Sequence, residues 1–187
     1  MNISTSWLRE WSDPKVSDTD LAEKLTMAGL EVDKIGPVAP DFEGVVVGEV
    51  VDCEKHPNAD KLSLCRVDIG NSSNLQIICG APNVRKGLKV AVATVGAVLP
   101  NNFKIKRAKL RGVESVGMIC SESEIGLSDE HEGIMELDSL APLGENLRKF
   151  LDLDENIIEL DLTPNRGDCF SILGVAREVC AIYDLAL

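Results

Sequence analysis

The apolar residues of this chain change their period at Gly44, and that change limits the possible folds more than any other feature. Upstream, Leu21, Leu25 and Ala28 recur at helical spacing; downstream, short apolar or alternating runs follow one another. Residues 45–53, 62–69, 75–79, 90–99, 103–110 and 117–120 read as strands. Turn-rich pieces separate them, such as His56-Pro57-Asn58-Ala59-Asp60 and Pro100-Asn101-Asn102.

That many strands in so short a stretch, with no long helix between them, predict a small antiparallel barrel. Strand number and mixed loop lengths suit a five-stranded OB-type barrel. The flanks are different. Ile3, Trp7, Leu8 and Trp11 share a helical face, and Ser17-Asp18-Thr19-Asp20 has capping-box spacing before a second helix that Gly29 ends. A strand at 30–35 and a linker with Pro37 and Pro40 follow. After Leu127 come an acidic loop at 128–133, a strand at 134–137, a short helix at 146–151 and an alternating strand at 157–162. The turn Thr163-Pro164-Asn165-Arg166-Gly167-Asp168 leads into a last helix with Ile172, Ala176, Val179, Cys180 and Tyr183 as its apolar stripe, capped by Asp168. Neither flank suffices for a core alone. The expectation is an α+β chain: residues 1–39 plus 152–187 form a split, discontinuous domain, and residues 40–151 form the barrel inserted into it.

Charge follows the same division. The formal net charge is −12, which by itself argues against nucleic acid. Residues 44–127, however, hold 11 Lys/Arg against 8 Asp/Glu, while the rest holds 8 against 23. The N-terminus has Arg9 and Glu10 before any apolar run, and residues 90–99, the longest such run, fall far short of the roughly 20 needed to span a bilayer. Six dispersed cysteines without a Cys-x-x-Cys pair read as reduced, buried, small hydrophobes. A cytoplasmic chain with no membrane partner is expected. Leu187 ends the sequence without a polar tail, so a continuation is expected beyond it.

The cations gather in Phe103–Glu124. Strict alternation from an inward Phe103 and Ile105 would bury Arg107, Lys109 and Arg111, at great cost. A β-bulge near Lys106-Arg107 would restore the phase, turning Ala108 and Leu110 inward and Lys104, Lys106, Arg107, Lys109 and Arg111 outward. Lys61, Arg85, Lys86 and Lys89 from neighbouring segments are candidates to join this patch. Phosphate is the natural partner. Phe103 is the only aromatic between Gly44 and Leu127, and it is assigned to the interior. A base-stacking platform is therefore not expected, and contact with the backbone and shape of a folded RNA is.

Three strings, His56-Pro57-Asn58-Ala59-Asp60-Lys61-Leu62, Ile78-Cys79-Gly80-Ala81-Pro82-Asn83-Val84, and the run from Lys109 to Ser121, resemble the tRNA-binding OB domain of EMAP-type proteins. Residues 6–11, 25–32 and Leu162-Thr163-Pro164-Asn165-Arg166-Gly167-Asp168-Cys169 resemble the N-terminal region of bacterial phenylalanyl-tRNA synthetase β subunits. The resemblance implies a non-catalytic region that contacts tRNA, with Ser115, Met118 and Ser121 joining the cations as RNA-binding candidates. It also implies a parent ligase that attaches phenylalanine to tRNA using ATP and Mg²⁺, partnered by an α subunit in an (αβ)2 assembly. Two other readings stay open: a free-standing tRNA-binding or chaperone module, and a purely structural barrel that packs against other domains.

Other constellations carry less. His56 and His131 lie far apart without partners at ligand spacing, so neither zinc nor catalysis is expected of them. Ser121-x-x-Glu124 has capping-box spacing. Gly80-Ala81-Pro82-Asn83 lacks the pattern of a phosphate loop. Arg166 is expected to form a local pair or to contact parts of the subunit outside this sequence.

Overall fold

The computed structural model of the chain describes residues 1–129 and 133–187, so His131 and part of the acidic 128–133 loop lie outside the described residues. The elements in order are β1 (Asn2–Ser4), α1 (Thr5–Trp11), α2 (Asp18–Met27), β2 (Glu31–Pro37), β3 (Glu43–Lys55), β4 (Ser63–Asp68), β5 (Leu75–Cys79) and β6 (Lys89–Leu99). There follow β7 (Phe103–Lys104), β8 (Ala108–Leu110), β9 (Val113–Ser115), β10 (Gly117–Ile119), β11 (Glu136–Leu137), α3 (Leu147–Phe150), β12 (Asn156–Asp161) and α4 (Ile172–Tyr183). They gather into two compact units: Met1–Val38 with Leu153–Leu187, and Ala39–Asp152.

The first unit is an antiparallel sheet in the order β1-β12-β2 with α1, α2 and α4. Its core holds Ile3, Leu8, Leu21, Leu25, Leu30, Ile158, Leu160, Val175 and Val179, all buried. Each such side chain contributes about 1.5–3 kcal/mol when removed from water. The expected single face of Ile3, Trp7, Leu8 and Trp11 is corrected here. Ser4 caps α1 by accepting the Trp7 N–H at 3.0 Å, so the helix starts only at Thr5 and Ile3 belongs to a strand. Trp7 and Trp11 stay largely exposed. Ser17 caps α2 as its spacing predicts, accepting the Asp20 N–H at 3.1 Å and donating to the Asp20 carboxylate at 2.7 Å. Gly29 follows with φ +90°, a left-handed stop suited to glycine.

Between α1 and α2, the Lys15 side chain and backbone N–H and the Arg9 guanidinium all donate to the Asp13 carboxylate. These bonds hold its pKa at about 2, below the usual 3.8. A depressed carboxyl contributes stability that is complete above the unfolded value and is lost as pH falls through the folded one. We therefore expect the Asp13 resonance to titrate near pH 2 by NMR, with its contribution to stability disappearing between about pH 4 and 2.

The second unit is built on an antiparallel sheet in the order β10-β6-β3-β4-β5, with β7 and β11 also pairing β6. The sheet is curled. Its far strand β5 returns to the segment before β10, where the Val116 N–H donates to Gln76 O at 2.9 Å and the Ile78 N–H donates to Ser115 Oγ at 3.1 Å. A register shift in β3 between Val50 and Asp52 helps it bend. Val50, Cys65, Val67, Ile77, Val90, Val92 and Ile119 fill the interior. Burial pushes the Cys120 thiol up to about 12 and raises those of Cys65 and Cys79, so all three are protonated at neutral pH.

The bulged strand expected over 103–110 does not form. After β7, Ile105 keeps backbone bonds to Gly96 and Ala97, then the chain leaves the sheet, and β8 pairs with β9 as a separate two-stranded ribbon. Ala108 and Leu110 are exposed, not buried, because β8 has left the main sheet and pairs with β9. The cations escape burial by departure of the strand, not by a change of phase.

Candidate nucleic-acid interface

The basic ribbon turns through Arg111 and Gly112, which have φ of 50° and 94°. Two positive φ values between paired Leu110 and Val113 are the signature of the tight hairpin turn whose twist matches its strands. The His56-Pro57-Asn58 loop clamps this tip. His56 is buried, and its Nδ1 accepts the Asn58 N–H at 3.1 Å. The proton is thereby left on Nε2, which donates to Leu110 O at 3.2 Å, while Asn58 Nδ2 donates to Arg111 O at 3.2 Å. Read from sequence, His56 was only a loop residue; its function as an anchor depends on a partner 54 positions away.

Lys104, Lys106, Arg107, Lys109 and Arg111 are all exposed, as are Lys61 and Lys86. Glu114 tempers the ribbon: it lies opposite Lys109 and 3.9 Å from Arg107. Two other cations are occupied. Lys89 is mostly buried and paired with Glu49 at 3.0 Å, which removes it from the candidate surface. Arg85 makes a two-pronged pair with Glu136 at 2.9 Å per prong and holds that carboxyl below its usual range. Ser115 is also corrected. It is 3% exposed, and its hydroxyl accepts from Ile78 and donates to Gly117 O at 3.0 Å, so it closes the sheet and is not at the surface.

Met118 and Ser121 are half-buried and line grooves. One open groove of about 770 Å³ has Leu99, Pro100, Phe103 and Met118 as apolar lining, with Lys104, Lys106, Asn101, Asn102, Ser123 and Glu124 around it. A neighbouring groove of about 510 Å³ also includes Met118 and reaches Ser121 and the Gly80-Ala81-Pro82 loop. Ser121 and Glu124 form the reciprocal bonds of a capping box, at 2.7 and 3.3 Å, on a turn instead of a helix. Phe103 is the main surprise. It was assigned to the interior, yet it is 58% exposed, because the left-handed Asn101 and Asn102 deliver it at the rim of the sheet.

The Gly80-Ala81-Pro82-Asn83 string has a structural purpose. Asn83 donates to Ile134 O and accepts the Ile134 N–H, both at 2.9 Å, standing in for a strand partner. In the first unit, Asp168, Cys169 and Glu178 bring potential metal-ligating atoms together. Arg166 fills that cluster, donating to Glu178 at 2.9 Å and to Cys169 Sγ at 3.0 Å, so its guanidinium supplies the positive charge. A thiol beside a guanidinium does not suit Mg²⁺, which demands oxygen ligands in octahedral geometry. The local pair expected of Arg166 is present. Asp168 is not the helix cap; Ser171 is, accepting the Gly174 N–H at 3.0 Å.

The family described as "Putative tRNA binding domain" matches residues 45–146. Phenylalanine–tRNA ligase β subunits are similar throughout: that of Dickeya dadantii (strain 3937) is 61% identical over all 187 residues, and that of Pectobacterium atrosepticum 60%. The chain spans about a quarter of the length of these relatives, 24% in each case. A solved MetRS related protein from Pyrococcus horikoshii is 27% identical over 54% of this chain and 84% of its own, with a TM-score of 0.40. With more than half of its residues inside the family's bounds, the chain belongs to the tRNA-binding-domain family.

Proposed function

We propose that this chain is the non-catalytic, tRNA-binding N-terminal region of a phenylalanine–tRNA ligase β subunit. In this reading residues 40–151 are a five-stranded OB-type barrel, inserted into a split domain of residues 1–39 and 152–187. The observation that carries the RNA contact is the clamped hairpin and its approach, which expose Lys104, Lys106, Arg107, Lys109 and Arg111 together in an otherwise acidic chain. Lys61 and Lys86 extend the contact, and Met118 and Ser121 line its grooves. The parent ligase attaches phenylalanine to tRNA in the cytoplasm, with an α subunit in an (αβ)2 assembly. ATP and Mg²⁺ serve that whole reaction, and we assign neither to a residue of this chain. Among the described residues, no helix is long and apolar enough to cross a membrane.

Phosphate contacts release counterions, so affinity falls with salt by about one unit of logarithmic slope per contact. The test is tRNA binding across a salt series, for the unaltered chain and for a variant with Lys104, Lys106, Lys109 and Arg111 all changed to Glu. The variant is expected to lose about a hundredfold or more in affinity at low salt and most of its salt dependence. Unchanged affinity would overturn the proposal.

A further inference from the structure

Phosphate contact leaves Phe103 unexplained. An exposed phenylalanine at the start of a strand costs solubility and contributes little to the core. Here it also lines the 770 Å³ groove, beside Leu99, Pro100 and Met118. That volume lies in the range of about 300–1,000 Å³ typical of small-ligand sites, with room for a nucleotide. Lys104, Lys106 and Glu124 line the same groove. A carboxylate repels phosphate and an ammonium group attracts it, so the phosphates of a bound strand are drawn to the two lysines. What remains for the apolar lining is a flat, weakly polar group, and an aromatic face accepts a nucleobase of any identity.

We propose that Phe103 is a stacking platform for one unpaired nucleobase, whose phosphates lie against Lys104 and Lys106. The inference rests on the tRNA-binding reading above and deepens it: the RNA site takes a splayed-out nucleotide as well as folded backbone. Base-paired RNA offers no such group, because its bases are already stacked. The groove therefore discriminates between unpaired and fully paired RNA.

The test compares binding of the chain to a tRNA transcript and to a blunt, fully paired RNA duplex of matched length. Phe103→Leu is expected to weaken tRNA binding about tenfold, within the range measured for losing one base–aromatic stack, and to leave duplex binding unchanged. Phe103→Trp is expected to bind tRNA as tightly as the unaltered chain. If Phe103→Leu binds tRNA normally, or weakens on both RNAs equally, the stacking inference is overturned while the phosphate reading stands. If the unaltered chain binds no tRNA, both fail together. Ultraviolet crosslinking of the unaltered chain to tRNA needs no variant that folds: an adduct mapped to Phe103 supports the platform, and adducts confined to other residues overturn it.

Discussion

Changing Gly174 to Ala is expected to destabilise the unit formed by Met1–Val38 and Leu153–Leu187 by about 2–3 kcal/mol, although the substitution lies within a helix. Helix propensity alone argues the reverse, favouring Ala over Gly by about 1 kcal/mol. The packing decides the sign. A Cβ at Gly174 would lie 2.0 Å from Asp168 O, and 3.0 Å from both Asp168 C and Cys169 Cα. These are backbone atoms of the turn running into α4, so no side chain can swing aside. Either α4 moves off the turn or the turn deforms, and both disturb Val175, Ala176 and Val179, which are fully buried against the sheet. Urea unfolding measures the difference; a stabilised Gly174→Ala chain would show that the turn and helix are not in this contact.

Ser115→Ala is expected to cost about 2–3 kcal/mol in the Ala39–Asp152 unit, far more than the loss of an ordinary surface hydroxyl. The Ser115 hydroxyl is buried and satisfies two backbone groups, the Ile78 N–H and the Gly117 carbonyl. An abandoned buried donor or acceptor costs about 1–3 kcal/mol, and here two lose a partner. Neither neighbour can readily approach to compensate, because both belong to strands held in register by the sheet. Faster hydrogen exchange at the Ile78 amide, together with a lower unfolding midpoint, is the expected signature. Ser115→Thr, which keeps the hydroxyl, is expected to retain most of the exchange protection. An Ile78 amide equally protected in Ser115→Ala would refute the assignment.

Local features were legible where the physics is local. The run 75–79 was read as a strand and coincides with β5, because apolar residues bounded by turn formers leave few alternatives. Ser17 with Asp20, and Ser121 with Glu124, make the bonds their three-residue spacing predicts, since each pair is joined by a single turn of chain. Continuous strand pattern over 103–110 says nothing about whether a neighbour accompanies the whole run. Once β8 found β9 instead of β6, the inward assignments of Ala108 and Leu110 failed with it.

By itself the sequence determined the change from helical to strand period at Gly44, the start of α2 that Ser17 caps, and the collection of cations between Lys104 and Arg111. Only the tertiary structure decided what those residues face. Lys89 is matched by Glu49, Arg85 by Glu136, Ser115 by Ile78 and His56 by Leu110, each pair joining segments tens of residues apart. The same folding turns Phe103 outward beside Lys104. Capping and periodicity are carried along a few bonds of the chain, whereas burial and pairing depend on distances through space that exist only after the sheet has curled.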